Sequence, residues 1–559
     1  MKRNSITESE GHLPGLRRLL PGLALGAALI SGASLAAPPV DLSPVPARPK
    51  ASTLPPGWEH GAFMEIFVRG YQDSDGDGIG DLRGLIQRLD YLKDLGVSGI
   101  WLMPITASAD HDHGYATTDF RHIEPQYGSL RDFDELIRQA HRRGIGVIID
   151  YVINHASHEH PLFQQALKDR RSPYRDWFVW QDQAPEGWDI WGKNPWTTVK
   201  PSADGSSNSN NNLGAYFGTF GPHMPDFNLR HPAVLDYHRS SLRFWLNRGL
   251  DGFRLDAVPH LIENNAVDWN DQPESRRLTR ELQTLIKQYP RRHVVCEATA
   301  NPQQYASPEV CGSAFAFGLE AQMIKAARGE TAAVGEIARI LSQAPSTMAN
   351  VLANHDIFAG ARVWDQLAGD EARYKLAAAS YLLAPGTPFI YYGEEIGMAG
   401  VSQLPGDEPL RAPMSWTADI SGFTSSATPY RPLSPNAASH NAAAQARDPG
   451  SLLNFYKAMI ALRRQLPSIA RGDLRKAQAE AQVLSFQRRL GDELSLVLIN
   501  YGEQATTQAV SGLPAGALLQ QAYPAQASLG SDAQGQALLR APARSVQVWR
   551  LDLSKKGRP

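Results

Sequence analysis

The stretch DGFRLDAVPH, residues 251–260, places two charged residues inside an apolar run. Phe253 and Leu255 fit a buried strand, and because side chains alternate along a strand, Arg254 and Asp256 lie together on its other face. Burying an unpaired charge costs on the order of several kcal/mol. The stretch therefore predicts either a structural Arg–Asp pair or a reactive carboxylate held by a guanidinium at the mouth of a barrel.

Short apolar runs of this kind alternate with amphipathic segments along the chain. Apolar residues recur at helical spacing in residues 82–95, 130–143 and 233–248. The apolar runs predict eight strands at residues 63–68, 99–103, 147–153, 252–255, 293–296, 314–317, 348–353 and 388–392. Strands that alternate with helices predict an α/β fold, a closed parallel (β/α)8 TIM barrel, with its functional groups where strands end.

Two departures from this alternation predict further domains. Residues 156–228, after the third strand, are rich in Trp, Asn, Gly and Ser and are too long for a simple loop. They predict an inserted lid subdomain, domain B. Residues 463–559 contain four short predicted strands, at residues 482–487, 494–500, 517–522 and 545–551, with turn residues and no helices between them. They predict a C-terminal antiparallel β-sandwich domain. The barrel then comprises residues 57–155 and 229–462.

The N-terminus predicts an exported protein. Arg17 and Arg18 precede an apolar stretch, residues 19–36, that ends in small residues suited to signal peptidase. Residues 1–36 therefore predict a signal peptide and a periplasmic or secreted protein; an uncleaved anchor and a twin-arginine signal are the alternatives. Residues 37–56, rich in Pro, Ala and Ser, predict a flexible leader. Cys296 and Cys311 fit either a disulfide or free buried thiols.

Composition narrows the range of partners. The formal net charge of −2 at pH 7 provides no basic surface for nucleic acid or acidic lipid. After signal cleavage no remaining stretch is long and apolar enough for a membrane span. The substrate is expected to be neutral or weakly charged. We expect a monomer, although no sequence feature fixes the oligomeric state.

Polar groups follow four of the predicted strands. They are Asp150, Asn154 and His155 after the third strand, Arg254 and Asp256 after the fourth, Glu297 after the fifth, and Asn354, His355 and Asp356 after the seventh. Each cluster alone fits a capping or ion-pair role. A barrel brings all four to one rim, where crowded carboxyl groups divide acid and base roles. Together they predict an active site.

These motifs resemble those of the α-amylase family, glycoside hydrolase family 13. The similarity runs from about residue 57 to the end and includes residues 150–155, 252–260, 295–297 and 354–356, with supporting segments 96–104 and 223–228. The resemblance implies that Asp256 is the nucleophile, that Glu297 is the general acid/base, and that Asp356 binds sugar hydroxyls and stabilises the transition state. Retaining enzymes of this type place two carboxyl groups ~5–5.5 Å apart and form a glycosyl–enzyme intermediate.

Further positions match substrate-binding residues of the family. The resemblance implies this role for Asp112, Tyr115, His155, Arg254, His260 and His355. Asp112 and Tyr115 would bind the sugar on the non-reducing side of the cleaved bond, and Arg254 would keep Asp256 ionised and oriented. Pro259 replaces a Lys that many α-amylases carry, so binding of the released end is expected to differ.

The stretch DSDGDGIGD, residues 73–81, alternates acids with glycines. Its start is similar to an EF-hand loop, but Gly84 stands where the bidentate Glu is required, which excludes an EF-hand. The stretch resembles a calcium loop that follows the first strand in several family members. The resemblance implies a structural Ca²⁺ held by Asp73, Asp75, Asp77, Asp81 and the Ile79 carbonyl. A solvated acidic turn is the alternative.

The choice within the family depends on fewer residues. Ala257 follows the nucleophile, and in related α-glucosidases a small residue there goes with α-1,4 bonds. Residues 224–228 resemble an intermediary group that includes bacterial α-amylases. The sequence therefore predicts a retaining α-amylase acting on starch-type α-1,4-glucans or maltooligosaccharides. The alternative is an exo-acting α-glucosidase or a transglycosylase, including trehalose-forming types. A noncatalytic carbohydrate-binding barrel is disfavoured because the catalytic carboxyl groups are all present.

Overall fold

The structure, a computed structural model, describes residues 40–199, 213–524 and 527–553. The predicted signal peptide, residues 1–36, lies outside these ranges and stays a prediction. Within them, every helix is too short or too polar to traverse a lipid bilayer.

The strands are numbered in chain order. They are β1 (Phe63–Ile66), β2 (Gly99–Leu102), β3 (Thr106–Ser108), β4 (Thr117–Ile123), β5 (Gly146–Tyr151), β6 (Trp180–Gln181), β7 (Trp196–Thr198), β8 (Ala215–Phe217), β9 (Gly252–Leu255), β10 (His293–Cys296), β11 (Ala314–Phe315), β12 (Met348–Asn350), β13 (Thr387–Tyr391), β14 (Asp473–Glu480), β15 (Val483–Leu490), β16 (Glu493–Asn500), β17 (Thr506–Val510), β18 (Leu518–Tyr523), β19 (Ser528–Gly530), β20 (Ala537–Ala541) and β21 (Ser545–Asp552).

The α-helices are numbered in the same way. They are α1 (Leu82–Gln87), α2 (Leu89–Leu95), α3 (Leu130–Arg142), α4 (Pro161–Lys168), α5 (Pro232–Asn247), α6 (Pro273–Lys287), α7 (Pro302–Tyr305), α8 (Leu319–Ala327), α9 (Thr331–Gln343), α10 (Val363–Gln366), α11 (Glu371–Leu382), α12 (Ala442–Gln445), α13 (Leu452–Gln465) and α14 (Pro467–Arg471).

Eight parallel strands in the described part of the chain form a closed barrel. Their order around it is β1, β2, β5, β9, β10, β11, β12 and β13, and β13 pairs with β1 to close the ring. Every residue of β2, β5 and β9 is buried, because helices cover the outside and side chains fill the inside. Each predicted strand overlaps an observed one, so the predicted TIM barrel is confirmed.

Capping residues and short junctions set the ends of the barrel helices. Ser129 and Asp132 form a reciprocal capping box at the start of α3, which then buries Phe133 and Leu136 against the barrel. The predicted segment 82–95 consists of two helices, α1 and α2, that meet at Arg88. The side chain of Arg88 donates to Gln72 Oε1 at 2.6 Å, which ties this joint to the loop after β1.

The insert after β5 begins with α4 and contains a small sheet in the order β6, β8, β7. Residues 200–212, between β7 and β8, lie outside the described ranges. The insert returns to the barrel rim through the segment before α5, where the Phe227 N–H donates to the Asn154 carbonyl at 2.9 Å. Its position after the third barrel strand agrees with the prediction of domain B.

The C-terminal domain has two antiparallel sheets with an apolar core between them. A six-stranded sheet has the order β14, β15, β16, β21, β18, β19, and β17 pairs with β20 in a second sheet. Leu496 and Leu519 from the larger sheet pack with Leu539 from the smaller one. The predicted β-sandwich is therefore confirmed, although the sequence predicted only β15, β16, β18 and β21.

The segment predicted as a flexible leader is instead held against the barrel over residues 45–54. The Val45 N–H donates to Ser240 Oγ at 3.3 Å, the Arg48 N–H donates to Tyr289 Oη at 3.1 Å, and Ser52 Oγ donates to Asp251 Oδ1 at 2.7 Å. These bonds satisfy backbone groups that a free leader would leave to water. We call residues 45–54 the strap.

The alternative left open for the two cysteines is settled in favour of a disulfide. Cys296, the last residue of β10, is bonded to Cys311, shortly before β11. The bond closes the loop between two neighbouring barrel strands.

Candidate active site

The three predicted catalytic carboxyl groups lie at the C-terminal end of the barrel. Asp256 follows β9, Glu297 follows β10, and Asp356 lies in the loop after β12. All three line a cavity of about 570 Å³. The other lining residues are His113, Tyr115, His155, Trp191, Phe220, Met224, Ala257, His260, Thr299, Ile357, Phe358, Asp407 and Arg411.

One buried guanidinium connects the carboxyl groups beneath this cavity. Arg254, in β9, is only 1% exposed. Its Nη1 donates to Asp150 Oδ1 at 2.9 Å and also to Asp256 Oδ1, while its Nη2 lies 2.9 Å from Glu297 Oε2. Arg254 therefore forms the predicted ion pair with Asp256, and two of its three partners, Asp256 and Glu297, line the cavity; that Asp256 is reactive stays a prediction.

The backbone after β9 fixes the relative position of Asp256 and Glu297. Ala257 has a positive φ of 49°, which turns the chain sharply after the strand. Its N–H donates to Glu297 Oε2 at 2.9 Å, and the Val258 N–H donates to the Glu297 carbonyl at 3.2 Å. The two carboxyl groups are thus tied to each other through one turn as well as through Arg254.

Two of the carboxyl groups that contact Arg254, those of Asp256 and Asp150, have raised pKa values. Burial raises the pKa of Asp256 well above its usual range; Arg254 opposes this effect, and Glu297 and Asp150 reinforce it. Burial also raises the pKa of Asp150. Arg254 therefore positions Asp256 and opposes the effect of burial on its pKa without cancelling it.

Asp356 has the opposite electrostatic environment. Burial alone would raise its pKa, but His355 and Arg411 outweigh burial and hold the pKa below its usual range. His355 Nε2 lies 3.0 Å from Asp356 Oδ2, and His355 Nδ1 lies 2.5 Å from Glu65 Oε1. Burial lowers the pKa of His355, yet these two carboxylates raise it to about 10. At neutral pH Asp356 is therefore ionised beside a His355 imidazolium.

The structure brings most of the predicted substrate-binding residues to the cavity. Tyr115 lines it, and the Tyr115 hydroxyl donates to Asp150 Oδ2 at 2.9 Å. The Tyr115 ring stacks on that of His355, with centroids 5.5 Å apart, so His355 lies behind it and is fully buried. His155 lines the cavity, and among the described residues its buried Nε2 has no partner. Burial lowers its pKa to about 3, which keeps the ring neutral.

His260 lies at the mouth of the cavity among aromatic rings. It stacks on Trp269 with centroids 5.4 Å apart and meets Trp191 and Phe220 edge to face. Burial lowers its pKa to about 4. Trp191 is 60% exposed, which is unusual for so large a ring and leaves its face free for a ligand.

Asp112 lies on the other side of the cavity wall. Its carboxylate is 2.9 Å from Arg431 Nη1 and 3.4 Å from Arg411 Nη1, and Arg411 Nη2 is 3.4 Å from Asp356 Oδ1. Asp112 lines a neighbouring pocket of about 290 Å³ together with Arg431 and Glu408. We call the chain of contacts from Asp356 through Arg411 and Asp112 to Arg431 the partition, because it separates the two spaces.

Several lining residues were missed by sequence reasoning. They include Trp191, Phe220, Met224, Thr299, Phe358, Asp407 and Arg411. Arg411 lies in the segment 403–450, whose Pro, Ser and Asn content predicted only a loop. Loops carry no periodicity that indicates which side chain faces a site. The Trp-rich composition of the insert was the one signal available for Trp191.

Three of the predicted calcium ligands lie together. Carboxylate oxygens of Asp73, Asp75 and Asp81 lie within 4.8 Å of one another. Asp77 lies outside this group, and its Oδ1 accepts the Ile79 N–H at 2.8 Å. Burial raises the pKa of Asp73, but bonds from Thr424 and three backbone N–H groups hold it below the usual value. Carboxylate oxygens at this spacing fit a hard cation such as Ca²⁺.

Comparisons with known proteins agree with this geometry. The family model for the alpha amylase catalytic domain matches residues 65–472. Trehalose synthase/amylase TreS of Mycobacterium tuberculosis is 34% identical over 507 residues, which cover 80% of this chain and 82% of the relative. Alpha-amylase 3 of Dictyoglomus thermophilum is 33% identical over 459 residues, which cover 80% and 85%.

Solved structures extend the likeness to three dimensions. The alpha-amylase from H. orenii has a TM-score of 0.73 and 32% identity, and the likeness covers 88% of this chain and 100% of that one. The alpha-glucosyl transfer enzyme XgtA has a TM-score of 0.75 and 27% identity, with 89% and 100% covered. The closed barrel, the carboxyl groups at its rim and the match over most of the chain lead to one conclusion: the protein belongs to the α-amylase family, glycoside hydrolase family 13.

Proposed function

We propose that this enzyme transfers α-glucosyl groups from the non-reducing end of short α-1,4-glucosides such as maltose to sugar acceptors, as a trehalose-forming transglycosylase does. The proposal replaces the α-amylase activity that the sequence favoured with the alternative that it left open. The single observation that carries it is the partition.

The partition supports exo action because it closes one side of the site. An endo-acting enzyme needs a groove that continues past the cleaved bond in both directions. Here Arg411 bridges Asp356 and Asp112, and Arg431 holds Asp112 from the other side. Arg411 is only 3% exposed, so the contact lies deep in the wall and not on a mobile surface. A cavity closed in this way accepts one terminal glucose unit.

The mouth of the cavity supports transfer to a sugar. Trp191, Phe220 and Phe358 present aromatic faces around the opening, and Phe358 is 54% exposed. Aromatic faces bind the apolar faces of sugar rings and displace water from them. An acceptor sugar held there would compete with water for the glycosyl–enzyme intermediate. Transfer would then exceed hydrolysis.

The chemistry would follow the double displacement of retaining glycosidases. Glu297 protonates the glycosidic oxygen while an Asp256 oxygen attacks the anomeric carbon, so the C–O bond breaks and a glycosyl ester forms. The acceptor hydroxyl then gives its proton to Glu297 and displaces Asp256. Asp356, ionised beside His355, would bind sugar hydroxyls and oppose the positive charge that develops on the ring.

The names of several relatives agree with transfer or with action on short α-glucosides. Trehalose synthases of Pimelobacter sp. and Thermus thermophilus are 32% and 33% identical to this chain. A probable alpha-glucosidase of Rhizobium meliloti is 30% identical. An endo-acting α-amylase remains the second candidate, because the pocket beyond Asp112 could hold a further sugar if the partition opened.

The test uses maltose and maltoheptaose with chromatographic analysis over time, and Asp256→Asn as the blank. We expect trehalose or other glucosyl-transfer products from maltose, and stepwise shortening or lengthening of maltoheptaose by single units. An early mixture of mid-sized fragments from maltoheptaose, with maltose left intact, would favour the endo-acting α-amylase. Equal activity of Asp256→Asn would remove Asp256 as the nucleophile.

We also propose that Asp73, Asp75 and Asp81 hold a structural Ca²⁺. The ion would tie the loop after β1 to the loop that carries Thr424, whose hydroxyl donates to Asp73 Oδ2. It would have no part in the reaction, since none of the three residues lines the active-site cavity.

A further inference from the structure

We infer that the enzyme has a second ligand site, for a phosphate-type oxyanion, at the opposite end of the barrel from the active site. The site is a cleft of about 250 Å³ between the N-terminal ends of the barrel strands and the C-terminal domain. The volume is several times the ~30 Å³ that one water occupies in the liquid, so a group of several heavy atoms fits.

The residues that line the cleft show that it lies at the N-terminal ends of barrel strands. His293 and Thr387 are the first residues of β10 and β13, and Ser313 directly precedes β11. Arg488, in β15 of the C-terminal domain, forms the opposite wall. A ligand bound here would contact both domains.

Arg488 is the main reason to expect an anion. It is 1% exposed, and two of its nitrogens donate to the Gly472 carbonyl. Its Nη1 is buried and has no acceptor among the described residues, which also provide no carboxylate within ion-pair distance of it. A buried guanidinium without an ionic partner is costly. An oxyanion would supply both the missing acceptor and the missing charge.

A second buried guanidinium adds to the uncompensated positive charge. Arg463 is 1% exposed and donates only to backbone carbonyls, including those of Leu382 and Ala384. Burial and, to a smaller extent, the charge of Arg488 together lower the pKa of Arg463 to about 9. Both groups remain cationic at neutral pH, and the carbonyl bonds do not neutralise them.

The entrance of the cleft is also basic. Lys287 and Arg471 line it, and Arg471 is exposed to solvent. The Lys287 ammonium donates to the Arg292 carbonyl at 2.7 Å, and burial lowers its pKa. The buried His293 Nε2 has no partner within the described residues, and burial lowers the pKa of His293 to about 3, so the ring is neutral. Glu59, whose buried Oε2 also has no partner within the described residues, is the acidic residue in the lining. The charge of Asp473 raises the pKa of Arg488 against the effect of burial. Cationic groups therefore outnumber the carboxylates around the cleft.

The nature of the ligand follows from size and charge. The cleft is too small for a polyanion such as nucleic acid, and its charged lining is unlike the aromatic mouth of the active site. A guanidinium binds two oxygens of a phosphate with its parallel N–H groups, and a lysine adds a point charge. Free phosphate and a small phosphate monoester share this chemistry.

The experiment measures binding of inorganic phosphate to the full-length enzyme by titration calorimetry. Ionic strength is held constant with sodium chloride, and thermal unfolding is followed in parallel. We expect saturable binding with one site per chain and a midpoint temperature that rises with phosphate, because a ligand specific for the folded state stabilises it. In the double variant Lys287→Gln/Arg471→Gln the Kd should rise by about tenfold or more.

The exposed pair Lys93→Gln/Arg540→Gln is the matched control and should bind phosphate as the unaltered enzyme does. Glycerol 3-phosphate in a second titration distinguishes the sources: tighter binding than inorganic phosphate identifies a phosphate monoester, and weaker binding identifies the free ion. Absence of saturable binding to the unaltered enzyme, or equal affinity in Lys287→Gln/Arg471→Gln, would overturn the proposal. Neither readout depends on catalytic activity.

Discussion

At the scale of single residues, Arg254 organises the site more than the sequence indicated. The sequence paired it with Asp256, but the structure shows it also contacting Asp150 and Glu297. The planar guanidinium presents several N–H groups in a fixed fork, so one side chain can hold three carboxyl groups at set positions. The spacing of Asp256 and Glu297 therefore depends on a residue that does not line the cavity.

Replacement of Arg254 by lysine should abolish most of the activity while retaining the charge. An ammonium cannot contact three carboxyl groups in this geometry, so we expect kcat on maltose to fall roughly 100-fold or more. Arg489→Lys, at an exposed site in β15, is the control. Steady-state kinetics together with circular dichroism check the prediction, and retention of more than half the activity by Arg254→Lys would contradict it.

His355 should make stability depend on pH in the alkaline range. Its pKa is about 10 in the folded protein against 6.5 for a free histidine, because Asp356 and Glu65 outweigh burial. A raised pKa gives stabilisation that is complete below pH 6.5 and is lost as pH rises through about 10. The free energy of unfolding, measured with urea at several pH values, should fall more steeply over this interval in the unaltered enzyme than in His355→Asn.

The control for this experiment is His122→Asn, which removes an exposed histidine. It should retain the slope of the unaltered enzyme. Parallel curves for His355→Asn and the unaltered enzyme would show that His355 is not held as an imidazolium.

The residues that could be predicted share one property. Asp256, Glu297 and Asp356 each follow an apolar strand, so the strand pattern and the barrel geometry together place them at one rim. Arg411 and Phe358 lie in loops, where no period links sequence position to direction. Asp112 could be matched to a family position, but its two arginine partners could not, because they are about 300 residues away in sequence.

At the scale of elements, the loop that follows β13 decides the shape of the site. It supplies Arg411 and Arg431, and both side chains form ion pairs with Asp112. Tyr430 fixes this arrangement by donating to the Arg411 carbonyl, and Arg431 is also within 3.3 Å of Glu408. If the partition limits substrate length, as we propose, then this loop and not the barrel sets the limit.

Removal of Arg431 should loosen the partition without touching the catalytic groups. Arg431 contacts Asp112 and Glu408 but not Asp356, whose partner Arg411 remains. In Arg431→Ala we expect the ratio of kcat/KM for maltoheptaose over maltose to rise by about tenfold, or about 1.4 kcal/mol. Arg447→Ala, exposed in the same segment, should leave the ratio unchanged. An unaltered ratio in Arg431→Ala would mean that Asp112 does not limit substrate length.

Some strands of the C-terminal domain, such as β14, were not predicted, and the reason is physical. β14 has the sequence DLRKAQAE, which is rich in residues that favour helices, and none of its residues is buried. It forms because it pairs with β15, whose apolar residues Val483, Leu484 and Phe486 made that strand recognisable in the sequence. Tertiary pairing outweighs local preference in this strand.

At the scale of the whole molecule, the two ends of the barrel differ in the charged groups that line them. The C-terminal end gathers the carboxyl groups, as barrel topology predicts. The N-terminal end is covered by the strap and by the C-terminal domain, and its cleft is basic. The pattern of strands was sufficient to predict which groups gather at the C-terminal end of the barrel. The N-terminal end is built by contacts between segments distant in sequence, and a single sequence does not reveal such contacts.

Removal of calcium should lower thermal stability without changing the reaction. The proposed ion would link two loops, so EDTA should lower the midpoint of unfolding by several degrees. In Asp75→Asn, which changes an exposed carboxylate of the group, this difference should shrink. Asp492→Asn, at an exposed turn, should respond to EDTA as the unaltered enzyme does. Insensitivity of the unaltered enzyme to EDTA would favour the solvated acidic turn.

The strap has a consequence for how the protein is made. Its residues leave the ribosome early, but Tyr289, which receives the Arg48 N–H, follows 241 residues later. The contact of the strap with Tyr289 therefore cannot form until about half of the polypeptide has been synthesised. Contacts between such distant segments form slowly during folding. Until then the underside of the nascent barrel stays open, and this is the stage at which a chaperone would have the most apolar surface to protect.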